Sequence, residues 1–280
     1  PAMMKARVNR MRKFRPAQFR SAAHAQSPMP IGRYIPSTLT LIGLCCGTTA
    51  IRFALTGEWK AAVIAIVLAA VFDTLDGQAA RLFRADSKFG AQLDSLADLV
   101  SFGIAPSVLV YMWTLQQAGS AGWTLALIFC VCCAIRLARF NIETVEAEDK
   151  DAANAHFTGL PTPAAACLIL LPMLLSFQFH TEFFHNPFLG GAMVAVMSLL
   201  MVSRVPTISL KRMRIRRKFR VAAGGFAGLL IATAIVQPWA TMTAGLLIYL
   251  AVLPFAPIFL LAPKEIDEDD EAEDLPPSAP

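Results

Sequence analysis

The sequence predicts an all-α polytopic integral membrane protein with about eight transmembrane helices. Its 280 residues are 56% hydrophobic and 16% charged, and the mean hydropathy is +0.54. These values are too apolar for an ordinary soluble domain. Runs of about 18–25 mostly apolar residues, the length that spans a bilayer, recur along the chain. They cover residues 36–56, 60–80, 95–115, 122–140, 161–178, 188–203, 221–237 and 241–262.

Positive charge is distributed as expected for a protein with both termini in the cytoplasm. Membrane proteins collect lysine and arginine in their cytoplasmic loops. All but Arg52 and Lys60 of the 25 lysine and arginine residues lie before the first span, within 81–88, 136–150 and 204–220, or at Lys264. The sequence therefore predicts a multi-pass protein of the cell (inner) membrane.

The formal net charge of +5 raises the question of a nucleic-acid partner. The basic residues flank apolar spans instead of covering a soluble domain, so anionic membrane lipid is the expected partner and no nucleic acid is expected. Three regions follow from these patterns: a basic cytoplasmic or interfacial segment (1–35), a transmembrane domain (36–262) and an acidic cytoplasmic tail (263–280) that is predicted to be disordered.

Four aspartates stand at the ends of two consecutive predicted spans. Asp73 and Asp76 are three residues apart, and Asp94 and Asp98 are four apart, so each pair shares one helical face. A short connection makes the two helices antiparallel neighbours, which lets all four acids converge. The spacing therefore predicts a carboxylate cluster at the cytoplasmic boundary of the membrane.

Carboxylates that are grouped in this way repel one another unless positive charge compensates them. Hard divalent cations such as Mg²⁺ or Mn²⁺ prefer oxygen ligands, and four acids suffice for two ions about 3.5–4 Å apart. No histidine or cysteine lies in the cluster, which argues against zinc. Gly77 and Ala80 leave room for a ligand or serve close helix packing. Arg81 is placed to pair with a phosphate or with one of the aspartates.

The pattern Asp-x2-Asp-Gly-x2-Ala-Arg-x8-Gly-x3-Asp-x3-Asp resembles the signature of the CDP-alcohol phosphotransferases. The resemblance implies that Asp73, Asp76 and Asp94 bind metal. It also implies that Asp98 contributes to the second metal site and acts as the catalytic base. The fixed positions of the pattern here are Asp73, Asp76, Gly77, Ala80, Arg81, Gly90, Asp94 and Asp98.

The same resemblance implies a binding site for the CDP group. Similar enzymes use a Pro-Asn-x-x-Thr element at the start of the first span, and Ser37 stands here where that element has asparagine. Serine keeps a hydrogen-bond acceptor but lacks the amide. The implied CDP-binding residues are Pro36, Ser37, Thr40, Asp76, Gly77, Ala80, Arg81, Ser87 and Gly90.

Three further features resemble the bacterial phosphatidylserine synthases of this family: the segments 136–141 and 157–166, and two spans beyond a six-helix catalytic core. They imply transfer of a phosphatidyl group from CDP-diacylglycerol to L-serine, with CMP as the other product. The family resemblance also implies a homodimer. A serine carboxylate needs a cation, which Arg136 or Arg139 would supply, and Asn141 is a further candidate acceptor-binding residue. The two arginines equally suit anchoring to lipid phosphate.

Other functions remain open at the level of sequence. The same chemistry with glycerol 3-phosphate would require a denser basic pocket, since that acceptor is a dianion. A cation transporter would place carboxylates near the bilayer midplane within broken helices, whereas these lie at the boundary. An inactive membrane scaffold is a third alternative.

Overall fold

The computed structural model describes residues 34–83, 87–149, 159–203 and 220–253, and within these ranges it is all-helical. Each predicted apolar segment overlaps one or more helices, and residues 254–262 of the last segment lie outside the described residues. The basic segment before residue 34, the loop 204–219 and the acidic tail 263–280 lie outside the described residues. The helices are α1 (Ile35–Thr56), α2 (Trp59–Phe83), α3 (Lys88–Asp98), α4 (Ala105–Trp113), α5 (Gly119–Asp149), α6 (Thr162–Ile169), α7 (Leu171–Phe179), α8 (Pro187–Val202), α9 (Arg220–Val236) and α10 (Pro238–Val252).

Length and composition identify the protein as a membrane protein. Four continuous helical stretches of the described chain are long and apolar enough to cross a bilayer, and a bent pair of helices gives a fifth. The four stretches are Ile35–Thr56, Trp59–Phe83, Phe89–Trp113 and Leu115–Glu143. The helices α8 and α10 are shorter and apolar, so the count of eight spans stays a prediction.

The fifth predicted span, residues 161–178, is a bent pair of helices instead of one straight helix. Helices α6 and α7 meet at an angle of 41° around Leu170. Pro172 explains the break, because a proline cannot donate a backbone hydrogen bond to the residue four positions earlier and its ring clashes with that carbonyl group. The start of the span fits the sequence analysis, since α6 begins at Thr162 with a proline in its first turn.

Helix α1 is the central element of the described bundle, because it packs along α2 and against α3, α4 and the segment between them. Its buried face consists mainly of small residues, including Gly43, Gly47 and Ala50. In a membrane, where lipid tails are as apolar as side chains, helices associate through close packing of such residues. A Cβ atom on Gly47 would lie 2.7 Å from the Cα atom of Ser101. The backbones therefore approach as closely as a glycine allows.

A π-helical segment, Leu99–Ile104, joins α3 to α4 directly after Asp98. Such widened turns occur mostly as single insertions in α-helices and frequently at functional sites. The segment is buried at Ser101, Phe102 and Gly103, and the Ser101 hydroxyl lies 3.4 Å from the carbonyl oxygen of Gly43. The widened turn is therefore held against α1 directly after the acidic residues of α3.

Helix α5 runs antiparallel to the chain that contains α3 and α4. Cys130 lies 3.2 Å from the Ser107 hydroxyl, and the Asn141 amide donates to the Ser95 hydroxyl at 2.9 Å. In the antiparallel alignment that these two contacts define, Arg136 lies within one helical turn of Asp98 along the helix axis.

Replacement of Gly47 by alanine is expected to destabilise the protein. The added methyl group would overlap Ser101, and overpacking of this kind costs about 1–3 kcal/mol. The thermal midpoint of the purified protein in detergent should fall measurably. Gly225→Ala in α9 is the control, because a Cβ atom there meets nothing within 4 Å. Equal midpoints for the two variants would contradict the close approach of α1 to the π-helical segment.

Candidate active site

Three of the four aspartates form a compact group. Each of Asp73, Asp76 and Asp94 offers one carboxylate oxygen, and these oxygens all lie within 4.8 Å of one another. Asp76 is buried, and the other two are half-buried. Asp98 lies outside this group of three but lines the same small cavity, one turn further along α3. The structure therefore brings together all four acids that the spacing predicted to converge.

The convergence depends on α1 as well as on the helices that carry the acids. Asp73 and Asp76 lie in the C-terminal half of α2, and Asp94 and Asp98 lie in α3. Helix α1 packs against both helices, and its residues Thr40 and Gly43 line the cavity between the acids. The short connection between α2 and α3 makes the two acid-bearing helices neighbours, and α1 forms the remaining wall of the site.

Thr40 holds the most buried of the acids. Its hydroxyl oxygen lies 2.6 Å from Oδ2 of Asp76 and 3.0 Å from the Pro36 carbonyl oxygen, and both side chains are buried. A hydroxyl that donates to a ligating carboxylate fixes the orientation of that carboxylate. Thr40, which the family resemblance assigned to CDP, is therefore also placed to orient Asp76.

The cluster fits a hard divalent cation. The donor atoms are carboxylate oxygens, which Mg²⁺ and Mn²⁺ prefer. The cavity between the acids has a volume of about 10 Å³, close to the space that one water-sized particle needs. The described part of the chain thus has a site that suits an ion by both chemistry and size.

The surface above the acids is open where the sequence analysis predicted a ligand. A Cβ atom on Gly77 would meet no heavy atom within 4 Å, so this glycine does not serve helix packing in the described chain. Ala80 is half-buried, and Arg81 is exposed at the end of α2. In the first turn of α1, Pro36 is buried and Ser37 is half-buried.

Ser87 and Gly90 have a local role at the start of α3. The Ser87 hydroxyl accepts a hydrogen bond from the Gly90 backbone N–H at 3.0 Å, and Ser87 is the N-cap of the helix. The small size of Gly90 suits this cap, because a Cβ atom there would lie 3.0 Å from the Ser87 oxygen.

The two candidate acceptor-binding arginines also bind backbone carbonyl groups. Arg136 donates from Nε to the carbonyl of Leu160 at 2.7 Å, and its Nη1 lies 3.5 Å from the Thr162 hydroxyl. Arg139 donates from Nη1 to the carbonyl of Val202 at 3.1 Å. These bonds tie α5 to the start of α6 and to the end of α8.

Asn141, the third candidate, is engaged by Ser95 of α3 at 2.9 Å. The sequence analysis did not identify Ser95, which lies at an unspecified position between Asp94 and Asp98 and carries no local signal. It also missed the contact of Gly47 with Ser101. The spacing of Gly43 and Gly47, four residues apart on one helical face, is the signal that points to such a contact.

Comparisons of the sequence with known proteins find one family model and several relatives. Residues 33–194 match the family model described as CDP-alcohol phosphatidyltransferase. A CDP-diacylglycerol--serine O-phosphatidyltransferase of Mycobacterium leprae is 33% identical over 222 residues, covering 79% of this chain and 74% of the relative. A Helicobacter pylori J99 protein with the same name is 31% identical, covering 81% and 92%. One from Bacillus subtilis is 36% identical over 173 residues, covering 61% and 88%.

Replacement of Thr40 by valine is expected to weaken binding of divalent metal about tenfold or more, because Asp76 loses the hydroxyl that orients it. Thr40→Ser keeps the hydroxyl and should keep most of the affinity. The measurement is titration of the purified protein with Mn²⁺, followed by electron paramagnetic resonance of the free ion. If the Thr40→Val and Thr40→Ser variants both bind Mn²⁺ with the affinity of the wild type, Thr40 does not orient a metal ligand.

Proposed function

The chain belongs to the CDP-alcohol phosphatidyltransferase family, and we propose that it transfers a phosphatidyl group from CDP-diacylglycerol to L-serine, giving phosphatidylserine and CMP. The group formed by Asp73, Asp76 and Asp94, with Asp98 beside it, carries the proposal. Names of relatives from three bacterial genera support serine as the acceptor.

Asp73, Asp76 and Asp94 are proposed to hold Mg²⁺ or Mn²⁺, with two ions in all and Asp98 contributing to the second. Such ions, when bound, neutralise the diphosphate and stabilise the charge on departing CMP. Thr40 keeps Asp76 oriented for this task, and the packing of α1 keeps the two acid pairs close together.

Asp98 is proposed as the general base. An alcohol is a poor nucleophile at neutral pH, and a carboxylate within hydrogen-bond reach removes its proton as the bond to phosphorus forms. The serine oxygen then bonds to the phosphorus of the phosphatidyl group, the bond from that phosphorus to the CMP oxygen breaks, and CMP leaves with the electron pair. We propose direct in-line displacement without a covalent enzyme intermediate.

The CDP group is proposed to lie over the cytoplasmic ends of α1 and α2. The open space above Gly77 admits the diphosphate, and Arg81 supplies positive charge at the exposed end of α2. Serine at position 37 offers a hydroxyl in the first turn of α1. The proposed set is Pro36, Ser37, Thr40, Asp76, Gly77, Ala80, Arg81, Ser87 and Gly90.

Arg136 is the strongest candidate for binding the serine carboxylate. A guanidinium group has five N–H donors, and the Leu160 carbonyl fixes this one through Nε. The register of α5 places it near the level of Asp98. Arg139 and Asn141 bind Val202 and Ser95, so their proposed contribution is to shape the acceptor side of the site.

The proposed setting is the cell (inner) membrane, with eight spans, a six-helix catalytic core plus two helices, and both termini and the active site on the cytoplasmic side. CDP-diacylglycerol enters laterally from the lipid, and serine enters from the cytosol. The positive charge of the predicted cytoplasmic loops supports this orientation. We propose a homodimer as the assembled form.

The acceptor assignment is tested with purified enzyme, CDP-diacylglycerol and Mg²⁺ or Mn²⁺, with serine, glycerol 3-phosphate, inositol and choline offered separately. CMP release is expected with serine, and the lipid product should be phosphatidylserine by mass spectrometry. Asp98→Asn should lower kcat about 10²–10⁴-fold, because the amide cannot accept the proton.

Controls separate the outcomes of this experiment. Glu182→Gln, on the short helix after α7, changes an acid far from the cluster along the chain and should leave the rate unchanged. CMP release with glycerol 3-phosphate in place of serine would keep the chemistry and overturn the acceptor. Full activity of Asp98→Asn would overturn the assignment of the base.

Replacement of Arg136 by lysine is expected to raise KM for serine about tenfold or more, since lysine loses the planar fork that binds a carboxylate. KM for CDP-diacylglycerol should change little. Steady-state kinetics with each substrate varied in turn measure both constants. Arg52→Lys is the matched control, because Arg52 is exposed near the C-terminal end of α1, away from the acids, and both constants should keep their wild-type values. A serine KM that is equal in wild type and Arg136→Lys would exclude Arg136 from carboxylate binding.

A further inference from the structure

Helix α5 is fastened to the chain that contains α3 and α4 at two levels near the acids. At one level, Gly103 of the π-helical segment lies so close to α5 that a Cβ atom there would be 3.1 Å from the Cys133 sulfur. At the other level, the Asn141 amide donates to the Ser95 hydroxyl at 2.9 Å. Resting on the proposed function, we infer that Ser95 and Asn141 form a positioning pair, whose bond sets the separation between Asp98 on α3 and the acceptor side of the site on α5.

The bond of this pair spans a space that close packing does not fill. Helix α5 packs against the π-helical segment and α4, but it makes little close backbone contact with α3. Both side chains of the pair are half-buried. The Ser95 hydroxyl also lies 3.0 Å from the Ala91 carbonyl oxygen of its own helix and 3.1 Å from Oδ1 of Asn141. Two short side chains that are held in this way allow little variation in the distance between the helices.

The groups proposed to act on the acceptor lie between the two levels. Asp98 lies between them on the chain of α3 and the π-helical segment, and Arg136 lies between them on α5. Asp98 is about 4.5 Å from the Ser95–Asn141 level along α3, and Arg136 is about 7.5 Å from it along α5. Without this bond, the chain is fastened to α5 on one side of Asp98 only. The separation between Asp98 and Arg136 is then no longer fixed from both sides.

This separation matters for proton transfer more than for binding. The serine hydroxyl must lie within hydrogen-bond reach of Asp98 while Arg136 holds the serine carboxylate. A misplacement of about 1 Å costs up to about 10²-fold in rate. The metal-binding aspartates have a separate support, because α1 packs against both α2 and α3. Loss of the Ser95–Asn141 bond is therefore expected to slow the reaction and to leave metal binding unchanged.

The test is a cycle of variants that remove the bond from either side. Ser95→Ala and Asn141→Ala should each lower kcat about tenfold, with KM for serine, KM for CDP-diacylglycerol and the affinity for Mn²⁺ within about twofold of wild type. The double variant should lose no more than either single variant, because both changes remove the same bond. Steady-state kinetics with each substrate varied in turn, and Mn²⁺ titration followed by electron paramagnetic resonance, measure these quantities.

Two further variants serve as controls. Ser107→Ala is the same substitution on the same chain, and it also removes a contact with α5, since the Ser107 hydroxyl lies 3.2 Å from Cys130. It lies more than two helical turns from Asp98 and should keep the wild-type kcat. Ser95→Thr retains the hydroxyl and should keep most of the activity.

Several outcomes would overturn the positioning pair. A wild-type kcat in both single variants would do so, as would losses that add in the double variant. If Asn141→Ala raised KM for serine while Ser95→Ala did not, Asn141 would bind the acceptor directly. If both single variants bound Mn²⁺ tenfold or more weakly, the pair would support the metal site instead.

The proposed function can fail separately from the pair. If the wild type releases CMP with another alcohol and not with serine, the acceptor assignment is wrong, and the ratios of kcat measured with that alcohol still test the pair. CMP release with no acceptor would overturn both.

Discussion

The close packing of α1 against both acid-bearing parts of the chain is the constraint on which the rest of the site depends. Thr40 contacts Asp76 of α2, and Gly47, two turns along the same face of α1, lies against Ser101, three residues after Asp98. Lipid gives helices little hydrophobic reason to associate, so this approach depends on small residues and buried hydrogen bonds. These contacts hold in place the helices whose carboxylate oxygens lie within 4.8 Å of one another.

The arginines of α5 combine a structural task with an electrostatic one. Arg136 and Arg139 satisfy carbonyl groups at the start of α6 and the end of α8, where a membrane protein has few other donors to offer. The bond of Arg136 also fixes a positive charge near the level of Asp98. A guanidinium group that is already oriented loses less freedom when it binds a substrate anion than a lysine would.

Local patterns predicted what local physics determines. Apolar runs located the helices, and spacings of three and four residues located the converging acids, because both follow from helix geometry. The π-helical turn after Asp98, the bend at Leu170 and the Ser95–Asn141 bond were not predicted. The π-helical turn and the Ser95–Asn141 bond depend on partners that are distant in sequence. The bend has a local cause in Pro172, but the apolar run around this proline is also typical of a straight span.

The order of the helices agrees with the stereochemistry of the proposed reaction. The described contacts place α2 beside α1, α1 beside α3 and the π-helical segment, and that segment beside α5. The proposed CDP-binding residues lie on α1, on α2 and at the start of α3, whereas Arg136 lies on α5, with Asp98 between these two sets. In-line displacement requires the attacking and leaving oxygens on opposite sides of phosphorus. A bundle that bound CDP on α1 and α2 and the acceptor beside α5 would bring the two oxygens to phosphorus from different helices, as the proposed displacement requires.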